Sequence, residues 1–172
     1  MDQIIVGVSR PKKWFEPFSW IIRLVTWSSY SHAYIKFYSE EYQRWIVFQA
    51  SGLKVNFIGA NMFDNEEIVG AEFSVPVSTQ TKVSTVSQAF DICGSPYGTS
   101  QAAGMLWVLF MEVFGKKVKN PFYSKSSYVC SELVATILVE LGYQLDPSCT
   151  TPQEVYDFLV SKGFTPQPSI AD

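Results

Sequence analysis

The sequence predicts an α+β fold in which helices pack against one antiparallel sheet. Three observations point there: strand-like runs dominate the first half of the chain, the links between them are short, and helical apolar periodicity takes over from Thr79 onward. Short links between successive strands require antiparallel pairing, because a parallel pair needs a crossover of a dozen or more residues. The chain has 172 residues, 47% of them hydrophobic and 17% charged, enough to bury an ordinary core as a single domain over residues 1–172. No internal repeat, low-complexity tract or linker interrupts it.

Gln3 to Val8 is a β-branched strand. Lys12 to Trp27 carries Trp14, Phe15, Phe18, Ile21, Ile22 and Val25 at helical spacing, with Pro17 demanding a kink or an initial turn. After Ser28-Ser29, His32 to Tyr38, Arg44 to Ala50 and Leu53 to Ile58 form a meander. Leu53, Val55 and Phe57 alternate with polar residues, as do Val69, Ala71, Phe73 and Val75 further on, so these strands bury one face. A helix from Thr79 places Val83, Val86, Phe90 and Cys93 on one side and stops at Gly94-Ser95-Pro96. A second covers Ala102 to Phe114. In the third, Cys130, Leu133, Val134, Ile137, Leu138 and Leu141 make a continuous stripe ended by Gly142. The fourth opens on the capping box Thr151-Pro152-Gln153-Glu154 and ends at Gly163.

Composition removes several function classes. Thirteen Lys and Arg against sixteen Asp and Glu give a net charge of −3, which offers no broad cationic surface for nucleic acid. The apolar run Ala102 to Phe114 contains Glu112 and is shorter than the roughly 20 residues that cross a bilayer, so no transmembrane segment is expected. Three cysteines at wide spacing and the lack of a basic-then-apolar leader suggest a reducing, cytoplasmic setting, with Cys93 and Cys149 structural. One His and three scattered Cys give no zinc spacing, and no phosphate-cradling glycine loop occurs, so no metal or other cofactor is expected. The 16% aromatic content suggests an aromatic-lined cleft. Gly115-Lys116-Lys117-Val118-Lys119 reads as a solvated helix end, with contact to a membrane surface as the lesser alternative.

Chemistry can reside in three residues. Cys130 starts a helix, where the macrodipole and unpaired amides favour thiolate; the competing interpretation is that it simply begins the apolar stripe. His32 is the sole histidine and opens a strand, a position from which its ring can accept the thiol proton. Gln49 is the one amide in the apolar run Trp45 to Ala50, and its oxygen can fix the imidazole tautomer; alternatively it is an ordinary strand end.

Tyr30-Ser31-His32-Ala33-Tyr34-Ile35, Val47 to Val55, Gly94-Ser95-Pro96-Tyr97-Gly98, Tyr128-Val129-Cys130-Ser131-Glu132-Leu133-Val134 and Thr151-Pro152 together resemble the circularly permuted branch of the NlpC/P60 (papain-like) superfamily, the YiiX- and lecithin–retinol-acyltransferase-like group. In that branch the histidine strand precedes the cysteine helix, as here. The resemblance implies a circularly permuted papain-like fold, a nucleophile at Cys130, a base at His32, a polar orienting group at Gln49, where relatives often carry an acid, and a substrate or oxyanion contact at Tyr97. The resulting expectation is a thiol-dependent amidase or peptidase acting through an acyl-enzyme, with the Cys130 N–H helping to bind the oxyanion. A lipid acyltransferase or thioesterase, and a silent binding module with the same cleft, are the alternatives. The substrate class is accordingly a peptide, an amide or a lipid ester.

Overall fold

β1, Asp2–Pro11, organises the sheet: it pairs antiparallel with β2, His32–Ser39, on one side and with β5, Glu67–Val77, on the other. The computed structural model describes residues 2–13, 17–52, 54–116, 118, 120–122, 127–148 and 150–169. β3, Arg44–Ser51, and β4, Lys54–Gly59, continue from β2 as the expected meander, so the antiparallel sheet runs β4-β3-β2-β1-β5.

The strand period of two sorts residues between the faces. Ile4, Val6 and Val8 join Ile35, Phe48, Phe73 and Val75 on one face, all essentially without solvent contact. Against that face lie α5, Cys130–Glu140, and α6, Pro152–Ser161, through Leu133, Val134, Ile137, Leu138, Val155 and Leu159. Burying each of these aliphatic side chains contributes about 1.5–3 kcal/mol. Both helices follow the sequence pattern closely. Thr151 accepts from the Glu154 N–H while the Glu154 carboxylate accepts from the Thr151 N–H, and Gly142 and Gly163 take the left-handed φ values of 91° and 85° that end the two helices.

The other face is smaller. Tyr34, Val47 and Phe63 pack there beneath α2, Ala60–Glu66, a short helix that the sequence pattern did not reveal. Its seven residues are too few to establish a period, and only Ala60 and Phe63 are buried. On the same face Lys36 and Glu72, each 1% exposed, form an ion pair at 3.3 Å, and the Tyr34 hydroxyl donates to the same carboxylate oxygen at 2.7 Å. Tyr34 requires Gly7 beside it, since a Cβ there would lie 2.1 Å from the phenol ring.

Several expectations are corrected. α1 is Pro17–Val25, not Lys12 to Trp27: Pro17 is its first residue, where a missing N–H costs nothing and no kink is needed, and Lys12 donates its backbone N–H to Glu66 instead. Trp14, Phe15 and Leu53 lie outside the described residues. α3, Thr79–Ile92, buries Thr85 and Ala89, with Val86 and Ile92 partly covered. Val83 and Phe90 are exposed, although Phe90 packs its ring on Phe57 at 4.5 Å between centroids. Cys93 is exposed at the end of that helix and therefore no core residue; Cys149 lies outside the described residues. α4 spans Thr99–Val113, three residues earlier at its start than the apolar run suggests.

Replacing Lys36 by Met is expected to destabilise the fold by about 3–5 kcal/mol, because Glu72 becomes an uncompensated buried charge. Urea unfolding of Lys36→Met, Glu72→Gln and the double variant checks this, the double variant being expected to recover most of the loss.

Candidate active site

The site begins with the segment that delivers His32 to the sheet. The β1–β5 register shifts at Val8/Ser9, a bulge that leaves Gly70 out of the ladder. The Tyr30 ring occupies the space a Gly70 Cβ would need, at 2.1 Å. Two further ties fix the approach: the Ser31 N–H donates to Ser9 O at 3.0 Å, and the Ser19 and Ser31 hydroxyls bond at 2.6 Å. His32 therefore enters β2 at a fixed height above the end of the sheet.

His32 Nε2 lies 2.7 Å from Gln49 Oε1. A carbonyl oxygen only accepts, so Nε2 carries the proton and Nδ1 is the ring nitrogen left for the sulfur. Gln49 is 6% exposed, and its Nε2 donates to Asn56 Oδ1 at 3.5 Å, directly across the β3–β4 ladder. That contact favours the amide orientation in which the oxygen faces the ring. Tyr34 and Phe63 flank the imidazole, with centroids at 6.4 and 6.1 Å.

Cys130 is 2% exposed at the first position of α5, and its Sγ lies 4.0 Å from Ser31 O. Burial pushes the thiol up. The hydrogen bond and charge of His32, together with N–H groups of Ala33 and Ser131, more than reverse this, so the thiol lies below its ordinary value. For His32, burial pulls the ring down, while the hydrogen bond and charge of Cys130 and the Gln49 amide outweigh it, so the imidazole is raised. Both directions favour the thiolate–imidazolium form of the pair. Tyr97 completes the group. It packs against Cys130, and burial plus the nearby thiolate charge raise its phenol and keep it protonated as a donor. Tyr97 is held by pairing of its backbone with Tyr128, by Gly98 N–H to Tyr128 O at 3.0 Å, and by Val55 N–H to Ser95 O at 2.8 Å.

The four sequence-derived residues, Cys130, His32, Gln49 and Tyr97, thus converge from α5, β2, β3 and the turn before α4. Others had no sequence signal. Gln101, 1% exposed, donates to the Glu132 carboxylate at 3.3 Å and accepts from the Ser127 hydroxyl at 2.6 Å; Glu132 also accepts from the Val129 N–H. This network clamps the start of α4 to the start of α5. Ser131 adds a hydroxyl bond to Thr150 O at 2.6 Å. Asn56 was invisible because its role depends on strand register, and Gln101 because its side-chain partners are at least 26 residues away.

A cleft of about 280 Å³ opens beside His32, walled by Pro11, Ile22, Ser31, His32, Glu67 and Tyr97 among others. His32 and Tyr97 line it directly, whereas the buried Cys130 is not among its lining residues. Among the described residues no three His, Cys, Asp or Glu side chains gather as a metal ligand set. Nor is any helix among them long and apolar enough to cross a membrane.

Architecture and site together define the class as α+β with a YiiX-like fold. The structural likeness is to the metalloprotein YiiX from Escherichia coli O157:H7, with a TM-score of 0.55 and 17% sequence identity over 100% of this chain and 98% of that one. No protein-family model matches the chain, and no curated protein matches it in sequence.

Burial lifts the Glu132 carboxyl to about 7, against the opposing N–H of Val129 and amide of Gln101. The folded chain then holds this proton more tightly than the unfolded chain, so its contribution is complete below about pH 4.5 and is lost as pH rises to about 7. The loss is roughly 3 kcal/mol. Thermal unfolding from pH 5 to 8 is expected to show a falling Tm for the native chain and a flatter profile for Glu132→Gln.

Proposed function

We propose that this protein is a thiol-dependent hydrolase of amide or ester bonds, with a circularly permuted papain-like arrangement of Cys130, His32 and Gln49. One observation carries the proposal: the only imidazole in the chain is held by a carboxamide oxygen at 2.7 Å and couples electrostatically to a buried sulfur at a helix start, each raising the stability of the other's charged form. The Cys130 thiolate attacks the carbonyl carbon, forming the C–S bond and moving the C=O electron pair onto oxygen. The Cys130 N–H, free of an intrahelical acceptor in the first turn, and the Tyr97 hydroxyl are the donors for that oxyanion. Collapse expels the leaving group, which takes its proton from His32. Water then attacks the thioester, giving its proton to His32, and the acid departs as the thiolate is restored.

Gln49 fixes the tautomer and adds no charge, as a neutral amide does in other cysteine triads. A nucleophilic thiol of this kind suits a reducing compartment, and we assign the protein a cytoplasmic setting on that ground.

Turnover of a panel of peptide, amide, thioester and lipid-ester substrates tests the proposal. Cys130→Ala and His32→Ala are expected to lower kcat/KM by roughly 10³-fold or more, and Gln49→Ala by about 10²-fold. In parallel, the rate of haloacetamide labelling of Cys130 is expected to rise with pH at a midpoint below the free-thiol value of about 8.5, and at a higher midpoint in His32→Ala. Unchanged turnover in both single variants would overturn the proposal, and no turnover by the native chain with labelling at the free-thiol midpoint would make this a silent binding module.

A further inference from the structure

We propose that the outer faces of α1 and α4 adsorb to an anionic membrane surface, with the cleft opening beside the contact. The proposal goes beyond the hydrolase assignment and concerns adsorption alone, so it stands or falls independently of the chemistry of Cys130.

The first observation is apolar exposure concentrated on two touching helices. On α1 and just after it, Trp20, Ile21, Leu24 and Trp27 are 52%, 44%, 73% and 91% exposed. They share one side of the helix, at spacings of three and four, while Ser19 and Ile22 turn the opposite way into the cleft. On α4 and just after it, Trp107 and Phe114 are 49% and 64% exposed. The two helices are in contact. A chain in water gains nothing from presenting tryptophan and leucine this way, and such a concentration marks a surface meant to be covered.

The second observation identifies the cover. Residues 17–27 and 99–122 contain four cations, Arg23, Lys116, Lys117 and Lys119, and one acid, Glu112, for a net charge of +3. The whole chain is −3, so the remaining residues carry −6. Along the sequence, positive charge is therefore concentrated in α1 and in the segment that follows α4. A second copy of these segments would oppose +3 with +3, whereas anionic headgroups attract the basic residues while Trp and Leu enter the acyl boundary. At 15 residues α4 is too short to span a bilayer, so the helices lie along the surface. Ser19 and Ile22 of α1 and Thr99 at the start of α4 line the cleft, which would place its mouth next to lipid.

Flotation with vesicles tests this, using the full-length chain with phosphatidylcholine alone or with 25% phosphatidylserine. The native chain is expected to float with the phosphatidylserine vesicles, much less with phosphatidylcholine alone, and less in 0.5 M NaCl. Leu24→Glu/Trp27→Glu, which alters only exposed positions and is checked for native circular dichroism, is expected to reduce the bound fraction about tenfold; Lys116→Glu is expected to weaken binding to phosphatidylserine vesicles alone. Cys130→Ala should float like the native chain, which keeps this outcome separate from catalysis. Absence of flotation, or equal flotation of Leu24→Glu/Trp27→Glu, overturns the proposal. So does concentration-dependent dimerisation that this double variant abolishes without any vesicle binding, since the face would then pair copies of the chain.

Discussion

The arrangement depends on keeping an ionisable sulfur out of water. At 2% exposure the Cys130 thiolate has little solvent to stabilise it, so the protein must supply that stabilisation through an imidazole, a phenol and two backbone N–H groups. The contribution from His32 is the only one that brings a full positive charge. Because that ring is itself buried, its charged form is stable only while the sulfur is ionised and the Gln49 oxygen holds the other nitrogen. Neither partner of the pair is well solvated alone, and each stabilises the charged form of the other.

The fold supplies this geometry through rigid elements rather than loops. β1 is paired on both sides, and its bulge, with Gly70 yielding to the Tyr30 ring, sets where β2 begins. The antiparallel β2–β3–β4 ladder then places Gln49 near His32 and Asn56 opposite Gln49. On the other face α5 is pinned by its apolar stripe, by Ser131 to Thr150, and by the Glu132–Gln101 bond. Tyr97 arrives on a turn stitched to β4 and to the residues preceding α5. Each of the four side chains therefore stands on an element held by hydrogen bonds made away from the candidate site.

What could be read from sequence follows from what is local. α5 and α6 were legible because their stripes, capping box and terminal glycines repeat within a few residues. The meander was legible from its short links. Cys130 and His32 stood out by residue type and position, and Gln49 as a lone amide in an apolar strand. The start of α1 was misjudged because Pro17 fits the first helical position as readily as a kink. The face of α3 was misjudged because Thr85 and Ala89, small residues with weak hydropathy, are the ones that meet the sheet, leaving Val83 and Phe90 outside. α2, the Lys36–Glu72 pair and the Gln101–Glu132 network carry no local signal at all. They exist only once strands and helices distant in the chain have come together.

His32 is the sole histidine, so its imidazole gives a single, unambiguous set of resonances in an NMR titration. Following those shifts against pH in the native chain and in Cys130→Ala tests the pairing most directly. The account predicts a native midpoint above the ordinary value of about 6.5. It also predicts a clear fall when the sulfur is removed, because burial then acts on the ring with less opposition. Identical midpoints in the two proteins would contradict it.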